Sequence, residues 1–242
     1  MGDERSGGEI GCSLGSLVSL LAPLTVWDVA EAQCQPPRTN NYITYYHDGW
    51  IRNLGGTTAR GTSSFMSNYD PWVQPSGGNS SAWTMLTRTD HVRRAQIGWY
   101  EFAYDYRRTF VQYTYNDNVI TYEYSPESSG PGQFSTYATL YDPGVYPNPP
   151  TWTFQVNGVT KHSVASLQWT PNEGQIAGET MTRSTQMPGG TNGRQLFANM
   201  KILYSGTWND FGGTGVNTQP AYFGQTQNHP TFGEIWDKAC YS

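Results

Sequence analysis

Two polar residues interrupt apolar stretches beside small neighbours. Gln96 lies in Ala95-Gln96-Ile97-Gly98-Trp99-Tyr100-Glu101-Phe102, and Glu179 closes Gln175-Ile176-Ala177-Gly178-Glu179. A carboxylate can take a proton from a water that attacks a carbonyl and return it to the leaving group. A carboxamide can donate a hydrogen bond to a developing oxyanion without changing its own protonation. Strand alternation puts Gln96, Gly98 and Tyr100 on one sheet face and Ile97, Trp99 and Glu101 on the other, while Gln175, Ala177 and Glu179 share a face. Either residue taken alone most often points to solvent on a strand, so context has to decide.

Other chemistries leave no trace. The sequence has no G-x-S-x-G elbow, H-E-x-x-H, C-x-x-C, P-loop or G-x-G-x-x-G, and His47, His91, His162 and His229 occur singly. No metal and no cofactor are expected, and chemistry would rest on carboxylates and amides. Two further classes fit the same residues. A glycoside hydrolase would pair Glu179 with Glu101 or Glu123, about 5–5.5 Å apart if retaining and 6.5–9.5 Å if inverting. A non-catalytic carbohydrate-binding module would use exposed Trp and Tyr platforms and need no acid.

The elements that must carry these residues read as strands. Asn157-Gly158 between Thr151–Val156 and Val159–Val164 marks a two-residue type I′ hairpin, because both turn positions need positive φ. A second hairpin joins Thr109–Tyr115 to Asn118–Tyr124. Further strands are predicted over Tyr42–His47, Ala82–Arg88, Ala95–Tyr104, Phe134–Tyr141, Gln175–Thr182, Leu196–Tyr204 and Pro220–Phe223, none with a sustained 3.6-residue period. Turn-rich stretches, among them Gly55–Ser64 and Gly212–Gly215, separate them. Aromatic and charged residues each make up 14% of the 242, with Gly 27 and Pro 15, against about a quarter charged in an average soluble domain. Coiled coils, helical bundles and charged disordered tails are thereby excluded. One all-β, antiparallel two-sheet sandwich is expected from about residue 35 onward.

Residues 1–32 read as a separate leader, either a signal peptide or a loosely ordered tail. Ile10–Trp27 carries no charge and Ala30-Glu31-Ala32 has the small-x-small pattern of a signal-peptidase site, although Asp3, Glu4 and Glu9 and the interrupting Pro23 are unlike an export signal. Export and cleavage before Gln33 are expected, with 33–242 as the single domain of a secreted product. Cys12 would leave with the leader, and Cys34 and Cys240 would remain as a bridged pair at the two chain ends. The leader holds five of the 19 acids and one of the 14 bases, so the remainder is nearly neutral, with no basic block. Nucleic acid is not an expected partner, and the Ser, Gly and Pro content of the apolar run argues against a membrane span.

Ala82-Trp83 leading into Ala95-Gln96-Ile97-Gly98-Trp99 resembles the tryptophan strand and the L-Q-T-G strand of the eqolisins, the glutamic peptidases. Gln175-Ile176-Ala177-Gly178-Glu179 lies where those enzymes have E-W-I-V-E. The same strand resembles the G-G-E segment of the neprosin peptidases, and Gln186-Met187-Pro188-Gly189-Gly190 is similar to their Q-M-G-S-G. Met85-Leu86 departs from the glycine-rich acidic turn expected after the tryptophan strand. The resemblance spans roughly residues 80–190. It implies a bent, lectin-like sandwich that brings Gln96 and Glu179 together on its concave face as the dyad of a peptidase, with a peptide or protein substrate. A neprosin-like site would need a second Glu, for which Glu101 is nearest in sequence although its strand parity is opposite. A carboxylate base implies activity at acidic pH that survives chelators. Trp83, Trp99 and Tyr100 are the aromatics expected to line the cleft, and the protein is expected to be a monomer.

Overall fold

The computed structural model describes residue 36 and residues 45–69, 71–75, 78–103, 106–125, 133–189 and 193–240. The chain divides into two compact units, Met1–Ala30 and Glu31–Ser242. The first lies wholly outside the described residues, as do Cys34 and the cleavage point after Ala32, and every described strand belongs to the second.

Among the described residues there are fifteen strands and no helix: β1 (Tyr46–Asn53), β2 (Gly61–Asn68), β3 (Asn79–Thr87), β4 (Arg94–Phe102), β5 (Tyr106–Tyr115), β6 (Asn118–Tyr124), β7 (Gln133–Asp142), β8 (Thr151–Val156), β9 (Val159–Ala165), β10 (Glu173–Thr180), β11 (Gln195–Tyr204), β12 (Thr207–Asp210), β13 (Thr214–Asn217), β14 (Phe223–His229) and β15 (Phe232–Asp237). They form two antiparallel sheets. One runs β13-β1-β10-β3-β4-β5-β6 and the other β14-β15-β11-β2-β7-β8-β9, with β12 paired to β11. The all-β sandwich read from the sequence is the observed fold. No helix among the described residues is long and apolar enough to cross a membrane.

Both predicted hairpins are present. Asn157 (φ 52°) and Gly158 (φ 77°) turn β8 into β9, and Asn116 (φ 48°) with Asp117 (φ 62°) turns β5 into β6. Other boundaries differ. The strand predicted over Tyr42–His47 begins at Tyr46 and runs on to Asn53, and of Pro220–Phe223 only Phe223 is in a strand, as the first residue of β14. β2 occupies ground read partly as a turn, because its sequence Gly61-Thr-Ser-Ser-Phe-Met-Ser-Asn68 is small and polar. It is nonetheless central in its sheet, and Thr62, Ser64 and Ser67 are fully buried there.

The core between the sheets is aromatic. Trp50, Trp99, Trp152, Phe154, Phe197 and Phe223 are all buried in it, joined by Ile97, Val111, Ile176 and Ile235. A second, smaller cluster of Trp83, Met85, Tyr100, Phe110 and Ala177 covers the outer face of the first sheet, where polar residues would be the ordinary choice. That face is shielded because the sheet curls. Tyr45, which precedes β1, and Glu123 on β6 line one cavity although five strand steps separate β1 from β6.

Candidate active site

Register fixes the floor of the curled sheet as three cross-strand rows. The first is His47, Glu179, Ser81, Tyr100 and Arg108 on β1, β10, β3, β4 and β5. The second is Gly49, Ala177, Trp83, Gly98 and Phe110, and the third is Ile51, Gln175, Met85, Gln96 and Gln112. The middle row is small on either side of Trp83. At Gly98 a Cβ would lie 2.0 Å from the Ala82 carbonyl oxygen, and at Gly49 one would lie 2.4 Å from that of Ile176. Neither position has room for a side chain, so the row stays low on either side of Trp83.

A first hollow has a volume of about 380 Å³ and is walled by both Gln96 and Glu179, with Tyr100, His47 and Glu123. The two candidate residues do not share a row. They are two strand spacings and four residues along the strand apart, about 16 Å between Cα positions over the sheet surface. A substrate between them, rather than a direct contact, would have to link the two. The Gln96 carboxamide is 8% exposed and held in place, its Nε2 donating to Gln112 Oε1 at 3.1 Å while Gln112 Nε2 donates to Thr121 Oγ1 at 3.2 Å.

Glu179 has a partner that the sequence did not reveal. His47 Nε2 lies 3.2 Å from Glu179 Oε2, and the imidazole and the Trp83 ring meet in a T-shaped contact, with centroids 6.1 Å apart. Burial pushes the Glu179 carboxyl up to about 7, against the pull of the Arg94 guanidinium. Burial, and secondarily Arg94, bring His47 down to about 4. The side chains are 16% and 36% exposed respectively, so the carboxyl is the more desolvated of the two. Between pH 4 and 7 the pair carries one proton, and desolvation places it on the carboxyl.

If Glu179 acts as the base, its active form is the carboxylate. Activity is then expected to fall about tenfold per pH unit below a limb near 7, instead of favouring the acid range that the resemblance implies. A kcat/KM profile measured from pH 4 to 9 checks this. A maximum near pH 4 would mean that Glu179 is not the base.

Two of the sequence-based candidates need correction. Trp99 faces away from the cleft, 1% exposed in the inter-sheet core, because it has the parity of Ile97. Glu101 is on that same opposite face, 2% exposed, with Oε2 2.8 Å from Arg107 Nε, so it is a buried ion-pair member and no second acid for the cleft. Glu123 on β6 lines the first hollow together with Glu179, because the curl of the sheet brings β6 toward β10 across it. Trp83 and Tyr100 do lie on the cleft face. Burial, and secondarily the negative charge of the nearby Glu123, raises the Tyr100 hydroxyl far above its ordinary value, so it stays a neutral phenol. Among the described residues no three His, Cys, Asp or Glu side chains group as metal ligands.

No family model matches the chain, and no curated protein matches its sequence. Solved structures do. Scytalido-glutamic peptidase with a peptide-based transition-state analogue superposes with a TM-score of 0.56 at 10% identity, over 81% of this chain and 99% of that one. The same enzyme with a transition-state analogue inhibitor gives 0.57 at 9% over the same shares. SCP-B, a member of the eqolisin family of peptidases in complex with the tripeptide Ala-Ile-His, gives 0.53 at 10%, again over 81% and 99%. At such identities the likeness is one of fold: this chain has the sandwich on which those peptidases are built.

Proposed function

We propose that the protein is a peptide-bond hydrolase whose substrate lies along the curled face of the first sheet. Glu179 activates the attacking water, and Gln96 donates to the carbonyl oxygen. The observation that carries this reading is that one hollow holds both a buried, anchored carboxamide and a desolvated carboxyl with its own imidazole partner. Water bound by the Glu179 carboxylate adds to the carbonyl carbon while its proton passes to the carboxylate. Collapse of the adduct breaks the C–N bond and returns that proton to the amine. Gln96 Nε2–H stabilises the oxyanion in between, giving up its bond to Gln112. The fold shared with peptide-bound glutamic peptidases supports a peptide as substrate. Export, removal of the leader and a Cys34–Cys240 bridge belong to the same proposal, with a monomer acting on protein outside the cell.

The test uses one purified sample on unfolded protein and on mixed-linkage polysaccharide, with and without EDTA. Release of peptides that EDTA leaves intact is the expected outcome. In that assay Gln96→Ala should lower turnover by about 10²–10³, the usual effect of losing one oxyanion donor. Polysaccharide cleavage alone, or ligand binding without any hydrolysis, would replace this reading with one of the carbohydrate readings.

A further inference from the structure

A second hollow, about 300 Å³, lies beside Trp83. Ile51, Trp83, Met85, Ala177 and Val216 give it a mainly apolar wall, with His91, Gln175 and Thr218 as further polar lining, and it shares His47 and Arg94 with the first. Arg94 is thus the cation at the junction of an apolar hollow and the one that holds Glu179.

That guanidinium is without an acid of its own. Arg94 Nε is buried with no acceptor, and the side chain makes no hydrogen bond or ion pair among the described residues; its hydrogen bond to Thr114 Oγ1 comes from the backbone N–H. The nearest acid in its cross-strand row is Glu173, two strands away through Thr87. Glu173 is already engaged. It is 3% exposed, its Oε1 accepts from Gln175 Nε2 at 2.8 Å, and His91 Nε2 lies 2.8 Å from the same oxygen. Nor does Glu179 neutralise Arg94 below neutral pH, since its carboxyl then keeps its proton beside His47. Arg108, the other cation of the floor, donates to the Arg107 carbonyl and stacks on Tyr106 at 3.9 Å. An unpaired, half-buried guanidinium in a groove leaves fork-shaped donors that match a carboxylate.

We propose that Arg94 is a specificity residue that binds a carboxylate of the substrate, next to an apolar side chain held in the hollow beside Trp83. The substrate class is then a peptide segment with a large apolar residue flanked by a carboxylate. The carboxylate can come from an Asp or Glu side chain or from a free C-terminus. Its placement in a cleavage site rests on the peptidase reading, but the recognition itself does not need hydrolysis.

The experiment is therefore one of binding. N-acetylated tetrapeptides containing Phe are titrated into the intact protein, following Trp fluorescence or heat. One pair carries Asp or Asn after the Phe and has an amidated end, and the other ends in Phe as free acid or amide. The expected result is that at least one acid binds about 10- to 100-fold more tightly than its amide partner, the effect of a charge-assisted bond to Arg. Which pair shows the preference tells a side chain from a terminus. Arg94→Gln should abolish the preference, and Arg94→Lys should keep part of it. Should Arg94→Gln fold poorly, the wild-type preference should still weaken with added salt. Equal binding of acid and amide, no binding of either, or a preference that survives Arg94→Gln would overturn the proposal. Carboxylate-selective binding with no peptide cleavage would overturn the peptidase reading and leave this one standing.

Discussion

Glu179→Gln is expected to lower turnover of an unfolded protein substrate by about 10³-fold or more at pH 8, with no loss of thermal stability. General acid–base catalysis contributes about 10²–10⁴ on its own, and here one carboxyl has to serve both proton transfers, so both steps fail together. Stability should hold because the site already favours an uncharged side chain. Burial keeps the carboxyl protonated up to about pH 7, and an amide of nearly the same shape meets the same surroundings. His47 Nε2, 3.2 Å from Oε2, can accept from the new carboxamide as it does from the protonated acid. Steady-state hydrolysis and thermal denaturation of the same preparation check the two halves. Wild-type turnover in the variant would remove Glu179 from the mechanism, and a large drop in melting temperature would mean that the carboxylate, rather than the acid, is the form the fold holds.

Local signals in the chain are enough for the hairpins and for the facing of individual side chains. Asn157-Gly158 and Asn116-Asp117 specify their turns through backbone conformation, which depends on a few adjacent residues. Alternation within β4 and β10 likewise sorts Gln96 from Glu101 and Glu179 from Gly178, and that sorting already sets Trp99 against a place in the cleft. What lies beyond reach depends on pairing between distant segments. His47 meets Glu179 only because β1 lies against β10, and no local pattern encodes that register. Arg94 stands just outside the apolar run that marks its strand, so nothing distinguishes it from a loop arginine until the sheet curls over it. β2 is hidden for a different reason: its Thr and Ser side chains pack in the interior, where composition alone suggests a turn. The offset between Gln96 and Glu179 is of the first kind, since the resemblance supplies two faces but not the rows they occupy.

The neighbour of His47 gives the other large expected effect: stability should rise as the pH falls from about 8 to about 5. Asp48 points to the opposite side of β1 and is fully buried, its Oδ2 accepting from Asn217 Nδ2 at 3.2 Å while Oδ1 has no partner. Burial raises its carboxyl to about 8, against the pull of the Lys238 charge and the Gly49 N–H. Asp48 and Glu179 therefore keep protons in the folded chain that the unfolded chain has released above pH 3.8 and 4.5. His47 works the other way, since the unfolded chain takes up its proton below 6.5 and the folded chain only below about 4. The folded state then holds one proton more than the unfolded state from about pH 4.5 to 6.5, two more from there to about 7, and one more up to about 8. Each net proton is worth about 1.4 kcal/mol per pH unit, in favour of folding as the pH falls, with the opposing His47 contribution smaller than a full proton because its side chain is 36% exposed and screened by solvent. Below about pH 4 these groups add nothing further. Denaturant unfolding at pH 5, 6, 7 and 8 measures the slope, and Asp48→Asn should remove one proton from it and gain most stability at pH 8. A wild type that loses stability steadily between pH 8 and 5 would show that Asp48 is charged in the fold. Activity and stability should thus respond to pH in opposite directions, because ionising Glu179 to make it a base places in the fold the same kind of buried charge that, at Asp48, holds stability down above neutrality.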